Sequence, residues 1–238
     1  MILYYVRHGD PIYHPDSLTE LGHKQANALV KRFSVYGLDK IYASTSNRAK
    51  LTAKPTCDAL GKEPVLLDWA NEHYAWLEFT LIKEDGERRW LADDPHYKAK
   101  LNSTEVYNMG FEWYNHPYFA EFDCKNGIKR VNANTDAFLE ELGFKHDREK
   151  RCYKVIKKNT DRVALFAHWG FGLLFLSSIL DIPYAHFCTR FSLGHSSVTA
   201  IYFDENAEEV YPQILYLSND SHLFKGDILT PYNNYIKV

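Results

Sequence analysis

Residues 2–10 of the chain are Ile2-Leu3-Tyr4-Tyr5-Val6-Arg7-His8-Gly9-Asp10. The first five are aliphatic or aromatic, and so short an apolar run predicts a buried β-strand. An arginine, a histidine and a glycine follow at once, so they would lie at the carboxyl end of that strand. Ligands bind at this end of the strands in open α/β sheets. The stretch therefore predicts an α/β fold with a site directly after its first strand.

The three residues after this strand suit phosphoryl transfer through histidine. A neutral imidazole such as that of His8 is a nucleophile that can carry a covalent intermediate. The guanidinium of Arg7 can clamp phosphate oxygens with a planar fork of donors. Gly9 lets the backbone turn and lets a ligand approach closely. Three residues form a weak motif, however, and a histidine at a strand end is as often an ordinary polar residue at the start of a loop.

Composition limits the classes of protein to consider. The chain has 238 residues, 45% of them hydrophobic, and a net charge of -3, which does not favour a nucleic-acid partner. Its four cysteines form no C-x-x-C pair, so neither a zinc site nor a redox motif is indicated. No signal peptide is recognised before the first strand, so reduced thiols and a cytoplasmic location are expected. The apolar segment Val163 to Leu180 is interrupted by His168 and two glycines, and we interpret it as strand, turn and helix rather than a membrane span.

Strand and helix patterns alternate along the first 67 residues. This order predicts a three-layer αβα fold with a mainly parallel central sheet. The predicted strands are 2–6, 40–43, 64–67, 162–167, 197–203 and 211–217, with 152–156 as a short edge strand. The predicted helices run from the Thr19 cap to Phe33, from the caps at 44–47 to Leu60, from Ile128 to Leu142 and from Gly170 to Leu180.

Residues 74–124 break the alternation and are rich in aromatic side chains without a clean period. We interpret them as a cap insertion that packs over the carboxyl edge of the sheet, within a single domain of residues 1–238. Aromatic residues serve packing first, so a satellite core without a ligand role is an equally weighted alternative.

Three further segments supply groups that complement the first site. Arg48 lies in the first turn of a predicted helix, where backbone amides already favour an anion. His168 follows a buried strand and precedes a glycine-containing turn, and it could donate to a phosphoryl oxygen. Glu72 follows the third strand and could protonate a leaving alkoxide and then activate water. Each residue taken alone is more often solvated or structural, but together they match a histidine-based phosphoryl-transfer site.

Several spaced segments resemble the histidine phosphatase superfamily, which has the phosphoglycerate mutase-like fold. The resemblance extends over most of the chain, and the spaced set is more specific than any single segment. The segments are Arg7-His8-Gly9, Leu18-Thr19-Glu20-Leu21-Gly22-His23-Lys24-Gln25-Ala26, Ser44 to Ala53, Asn71-Glu72-His73-Tyr74, His168-Trp169-Gly170, Ser197-Val198-Thr199 and Asn219-Asp220-Ser221-His222-Leu223.

This resemblance implies a role for each site residue. His8 is implied to be the phosphorylated nucleophile and Glu72 the general acid/base, while His168 is implied to be both catalytic and phosphate-binding. The other implied phosphate-binding residues are Arg7, Arg48 and Trp169. No metal or organic cofactor is implied. The sequence departs from the family pattern at Asp10, Asn47 and Trp169, and the bulk of Trp169 is expected to narrow one wall of the pocket. Asn219 and His222 are expected to have only supporting roles.

The expected activity is metal-independent hydrolysis of a small phosphomonoester, which releases inorganic phosphate. The main alternative is a phosphoglycerate mutase, in which the phosphoryl group returns to another hydroxyl of the bound product. A mutase needs extra cations in the insertion, and candidates for them are Lys83, Arg88, Arg89, Lys98 and Lys100. The aromatic character of the insertion favours a less polar leaving group and therefore hydrolysis. A non-catalytic module that binds phosphorylated ligands is a third hypothesis. Neither the substrate nor the oligomeric state is predicted.

Overall fold

The computed structural model describes residues 1–224, Gly226 and Ile228. In this part of the chain, the strands are β1 (Ile2–Arg7), β2 (Pro11–Ile12), β3 (Ser17–Leu18), β4 (Lys40–Ser44), β5 (Val65–Leu67), β6 (Thr80–Ile82), β7 (Arg88–Trp90), β8 (Phe144–Asp147), β9 (Cys152–Val155), β10 (Arg162–Ala167), β11 (Val198–Tyr202), β12 (Glu209–Val210) and β13 (Gln213–Asn219). The α-helices are α1 (Glu20–Phe33), α2 (Asn47–Leu60), α3 (Glu72–Glu78), α4 (Pro95–Leu101), α5 (Thr104–Met109), α6 (Cys124–Glu141), α7 (Trp169–Ile179), α8 (Tyr184–Phe187) and α9 (Ser221–Phe224).

The central sheet has six strands in the order β13-β11-β1-β10-β4-β5. The pairs β1–β10, β10–β4 and β4–β5 are parallel, and β11 is antiparallel to both of its neighbours. Arg7 at the end of β1 lies beside Ala167 at the end of β10. The two histidines that follow these residues therefore leave the sheet side by side. The predicted mainly parallel sheet is confirmed.

Two hydrophobic clusters cover the two faces of this sheet. Val6 of β1 packs with Leu29 of α1 and Ala53 of α2 on one face. Tyr5 points to the other face and packs in the cluster that includes residues of α6 and α7. This alternation follows from the two-residue period of a strand. It confirms the three-layer arrangement of helices, sheet and helices.

The 74–124 insertion comprises the β6–β7 ribbon, α4, α5 and two short 3-10 segments. Its buried aromatic residues, among them Phe79, Trp113 and Phe119, belong to the same hydrophobic cluster as Leu3 of the central sheet. The aromatic residues thus form no separate satellite core, because their packing is continuous with that of the sheet.

Two details of the predicted elements were wrong. Residues 152–156 were expected to form an edge strand, but β9 is the middle strand of a separate three-stranded sheet in the order β12-β9-β8. Its partners β8 and β12 are only four and two residues long, too short to show a period in sequence. The helix expected from Ile128 begins four residues earlier, at Cys124.

The apolar segment 163–180 forms β10 and α7, as predicted. Among the described residues, no helix combines the length and apolar character needed to cross a membrane. All four cysteines are buried with free thiols, as expected.

The packing of α1 gives a further reason for the glycine at position 9. A Cβ atom at Gly9 would lie 2.7 Å from the carbonyl oxygen of Gly22 in α1, and one at Gly22 would lie 2.2 Å from the carbonyl oxygen of Asp10. The two glycines therefore let the loop after β1 pack directly on the first turn of α1. The structure thus shows a close approach of two backbone segments at Gly9, and the approach of a ligand stays a prediction.

Candidate active site

The ends of four parallel strands place the predicted site residues together. Arg7 and His8 leave β1, and His168 leaves β10 as the N-cap of α7. Arg48 is the second residue of α2, which begins just after β4, and Glu72 is the first residue of α3, which follows β5. The rings of His8 and His168 lie with their centroids 5.3 Å apart.

His8 is held in a state that suits a nucleophile. Its side chain is buried, and its Nδ1 lies 2.7 Å from the carbonyl oxygen of Gly9. A carbonyl only accepts, so Nδ1 carries the ring proton and Nε2 keeps its lone pair. Burial, then His168 and the guanidiniums of Arg7 and Arg48, lower the pKa of His8 well below its usual range. The imidazole is therefore neutral at physiological pH.

His168 presents its other nitrogen to the site. Its Nε2 lies 2.8 Å from the Ser44 hydroxyl and 3.3 Å from that of Ser46. Its buried Nδ1 makes no hydrogen bond to any described residue and lies 3.7 Å from Glu72 Oε2. Burial, then Arg48 and Arg7, lower the pKa of His168 well below its usual range, so this ring is also neutral. If a serine hydroxyl donates to Nε2, Nδ1 carries a proton that can be donated into the site.

The two arginines are fixed by different partners. Arg7 is buried and donates to the carbonyl oxygen of Leu193 at 2.6 Å and to His195 Nε2 at 2.7 Å. Arg48 donates to Asp16 Oδ1 at 2.9 Å and to Glu72 Oε2 at 3.4 Å. The buried Nε of Arg48 makes no hydrogen bond to a described residue.

Glu72 is oriented by a backbone amide. Its Oε1 accepts from the Gly170 N–H at 2.7 Å, whereas its Oε2 faces Arg48 and His168. The start of α3 is tied to the end of β4, because the Asn71 amide donates to the Thr45 hydroxyl at 2.9 Å. The carboxylate thus has one anchored oxygen and one oxygen that faces the Arg48 guanidinium and the His168 ring.

His195 is a site residue that the sequence did not single out. Its ring centroid lies 5.6 Å from that of His8, and its Nδ1 lies 3.4 Å from Asp10 Oδ1. Burial, then Arg7, lowers the pKa of His195 to about 2. A guanidinium only donates, so Nε2 must accept from Arg7 and the ring proton must face Asp10. In the sequence, His195 lies two residues before Ser197-Val198-Thr199, one of the segments that resemble the family. This proximity was the feature that could have pointed to it.

The remaining predicted residues lie around this centre. The indole N–H of Trp169 donates to the Ser192 hydroxyl at 3.1 Å, and its ring packs on Trp90 of the insertion. Asn219 accepts from Arg32 of α1 at 2.7 Å, and His222 lies 3.3 Å from the same guanidinium. These last two contacts join α1 to the end of β13, in keeping with the supporting role expected for both residues.

A cavity of about 1300 Å³ opens beside these groups. Arg48, Glu72 and His195 contribute to its wall, as do Trp76 and Trp90 from the predicted insertion. Two aromatic residues of the segment 74–124 therefore line the cavity.

The described residues include one group of histidines and carboxylates close enough to ligate a metal ion, namely His8, Glu72 and His168. Their ligand atoms lie within 4.8 Å of one another. The adjacent guanidinium of Arg48 carries a positive charge that opposes binding of a cation at this position. The donor set fits transfer of an anionic phosphoryl group better than it fits a resident metal.

Comparison with protein families supports the resemblance found in the sequence. The model of the histidine phosphatase superfamily (branch 1) matches residues 3–105, so the resemblance is confirmed over this part of the chain. No curated protein matched the chain in a sequence comparison.

Several solved structures with a similar fold carry the names of phosphatases. Phosphoserine phosphatase from Entamoeba histolytica, in complex with 3-phosphoglyceric acid, has a TM-score of 0.59 at 18% identity and covers 93% of this chain and 98% of its own. Mycobacterial glucosyl-3-phosphoglycerate phosphatase has a TM-score of 0.58 at 18% identity, and the alignment covers 91% of this chain and 98% of that one. A putative α-ribazole-5′-P phosphatase from Escherichia coli K-12 has a TM-score of 0.59 at 19% identity, and the alignment covers 92% of this chain and 98% of that one. At these identities the comparisons establish a shared fold.

Proposed function

We propose that the chain is a metal-independent phosphomonoester hydrolase that works through a phosphohistidine on His8. The observation that carries this proposal is the state of His8 itself. Its Nδ1 faces the Gly9 carbonyl, and its lowered pKa keeps Nε2 unprotonated among the cationic and neutral donors of Arg7, Arg48 and His168. A nucleophile surrounded by donors for three phosphoryl oxygens is the arrangement that phosphoryl transfer requires.

In the first step, the lone pair of His8 Nε2 attacks phosphorus while the bond from phosphorus to the ester oxygen breaks. Arg7, Arg48 and His168 hold the equatorial oxygens as charge develops on them, so their contribution is positioning and electrostatic stabilisation. The protonated carboxyl of Glu72 donates its proton to the leaving alkoxide. The products are an alcohol and a phosphohistidine.

In the second step, the Glu72 carboxylate takes a proton from water, and the resulting oxygen nucleophile attacks the phosphohistidine. The bond between phosphorus and Nε2 breaks, its electron pair returns to His8, and inorganic phosphate leaves. Trp169, expected from the resemblance to bind phosphate, is proposed to shape the cavity wall through Trp90, on which its ring packs. The four free thiols support a cytoplasmic location for this enzyme.

The cavity wall favours hydrolysis over the mutase alternative. A mutase must hold an acidic sugar phosphate at both ends, and the candidate cations were Lys83, Arg88, Arg89, Lys98 and Lys100. None of these five is among the described residues that line the cavity. Arg88 instead donates to Thr80, and Lys100 packs over the rings of two tyrosines.

The test is release of inorganic phosphate from a panel of phosphomonoesters in the presence of EDTA. We expect wild-type protein to release phosphate, His8→Ala to lose this activity, and His23→Ala, which alters an exposed histidine on α1, to retain it. Radiolabelled substrate should label the wild-type protein through a bond that is stable in base and labile in acid. Wild-type activity in His8→Ala, or loss of activity in EDTA, would contradict the proposal.

Two other assays separate the alternatives. Interconversion of 2- and 3-phosphoglycerate without phosphate release would assign the chain to the mutases. Tight binding of phosphate esters without either reaction would assign it to the binding modules.

A further inference from the structure

We propose that the substrate's leaving group carries an aromatic ring and no negative charge, and that the ring binds against Trp76 and Trp90. This inference rests on the proposed phosphatase function and names its substrate class. It is carried by the size of the cavity, the arrangement of the two indoles beside Glu72 and the charges on the cavity wall.

The cavity is larger than a small phosphorylated metabolite needs. Its volume of about 1300 Å³ exceeds the ~300–1,000 Å³ typical of pockets for drug-sized ligands. The phosphoryl group needs only the part of the cavity beside Arg48, Glu72 and His195. The remaining space can take a leaving group with a ring system, and a three-carbon alcohol would leave most of it to water.

Trp76 is placed where the leaving group must lie. It is four residues after Glu72 on α3, so the two side chains project from the same face of the helix. Both residues line the cavity. Since Glu72 protonates the leaving oxygen, the part of the alcohol next to that oxygen lies against Trp76.

The two indoles form a wall that is fixed before a ligand binds. The rings of Trp76 and Trp90 meet edge to face with their centroids 5.1 Å apart, and Trp90 meets Trp169 in the same way at 5.7 Å. Trp90 also lies directly on Gly170, where an added Cβ atom would come within 2.3 Å of its ring. Because these rings are already held, little conformational entropy is lost when an aromatic group packs on them.

The charges on the wall disfavour an acidic leaving group. Among the described lining residues, the lysines and arginines are Arg48 and Lys50, and Arg48 is assigned to the phosphoryl group. The same wall carries the carboxylates of Asp10 and Asp16, in addition to Glu72, which is the neutral acid when the ester binds. A second carboxylate or phosphate on the substrate would therefore meet more negative than positive groups beyond the phosphate position.

The experiment compares 2-phenylethyl phosphate, glycerol 3-phosphate and 3-phosphoglycerate, all esters of alkyl alcohols. With the wild-type protein, we expect kcat/KM for the phenylethyl ester to exceed that for either of the others by at least tenfold. Trp76→Leu should reduce this preference about tenfold, whereas Trp76→Phe, which keeps an aromatic ring, should retain most of it. Tyr107→Leu removes an exposed aromatic ring of the insertion outside the cavity and should leave the preference unchanged.

The outcomes separate this inference from the function on which it rests. If phosphate release depends on His8 but 3-phosphoglycerate is the best substrate, or if Trp76→Leu leaves the preference unchanged, the substrate class is wrong and the phosphatase proposal stands. If no ester yields phosphate in a reaction that depends on His8, the proposed function fails, and the substrate class fails with it.

Discussion

Glu72 has two carboxylate oxygens with different surroundings, and this difference supports the role proposed for it in proton transfer. The Gly170 amide holds Oε1, so Oε2 is the oxygen available for proton transfer. Glu72→Gln keeps an acceptor for the amide but cannot deliver a proton. We expect kcat for 2-phenylethyl phosphate to fall roughly 10²–10⁴-fold, the range for loss of a general acid or base.

The loss in Glu72→Gln should depend on the leaving group. 4-Nitrophenyl phosphate releases a weakly basic phenolate that needs little protonation, so the loss in formation of the phosphohistidine should be much smaller for this substrate. Burst kinetics measure that step separately from hydrolysis. An equal loss for both substrates would show that Glu72 acts by a route other than protonation of the leaving group.

We propose that His195 positions Arg7 for phosphate binding. Its Nε2 accepts from the guanidinium at 2.7 Å, and its Nδ1 faces Asp10. His195→Phe removes the acceptor and should raise both the KM for substrate and the inhibition constant of phosphate about tenfold. This estimate corresponds to ~1–3 kcal/mol for leaving a charged donor without its partner.

A conservative variant distinguishes positioning from general structural damage. His195→Gln can place an amide oxygen near the former position of Nε2, so it should recover much of the affinity for phosphate. If His195→Phe binds phosphate as tightly as the wild-type protein does, His195 has no role in holding Arg7.

At the scale of elements, His146 joins three segments of the fold outside the candidate active site. His146 of β8 lies 2.8 Å from Asp136 of α6 through Nδ1 and 2.8 Å from Asp181, which follows α7, through Nε2. Burial opposes the charge on this ring, but hydrogen bonds to the two carboxylates outweigh it, and the pKa of His146 is raised. The imidazolium therefore connects β8 to both helices.

This connection predicts how stability depends on pH. Because the pKa of His146 is higher in the folded than in the unfolded chain, its stabilisation is complete below about 6.5, the unfolded value, and is lost as pH rises through the folded value. His146→Gln should therefore lower the free energy of unfolding by more at pH 6 than at pH 9. Urea unfolding at both values measures this difference, with His23→Gln as the control. A larger effect at pH 9 would contradict the assigned charge.

The residues at strand ends could be predicted from sequence, whereas His195 could not. Arg7, His8 and His168 follow buried runs that can be recognised as strands, and parallel strands bring their carboxyl ends to one edge. His195 lies between α8 and β11, outside the regular elements, so its proximity to Arg7 depends on the antiparallel pairing of β11 with β1. No local pattern encodes that pairing.

The segment 74–124, interpreted as an insertion, shows the same limit of prediction from local sequence patterns, on a larger scale. Its position at residues 74–124 was inferred from the point where the alternation of strands and helices stops. Its internal structure was not predictable, because α4, α5 and the 3-10 segments are too short to establish a period. Its aromatic residues divide between packing, as with Trp113, and the cavity wall, as with Trp76. That division depends on which side of each segment meets the core.

Across the whole molecule, the insertion and the central sheet share one hydrophobic cluster, which runs from Leu3 to Trp113 and Phe119. We therefore propose that the chain folds as a single domain with the insertion as an integral part. Unfolding in urea should give coincident transitions by tryptophan fluorescence, which includes Trp113 of the insertion, and by far-ultraviolet circular dichroism, which is sensitive to the helices throughout the chain.

Phe119→Ala tests this coupling directly. The side chain is buried in the insertion, so its truncation should cost about 3–5 kcal/mol. In a single cooperative unit, this cost lowers the urea midpoint equally by fluorescence and by circular dichroism, even though the residue is distant in sequence from β1 and β10. Tyr107→Ala, at a half-exposed position of the insertion, should shift neither by a comparable amount. A fluorescence midpoint that falls alone would mean that the insertion unfolds independently, and the wall formed by Trp76 and Trp90 would then open while the catalytic groups on the sheet remained in place.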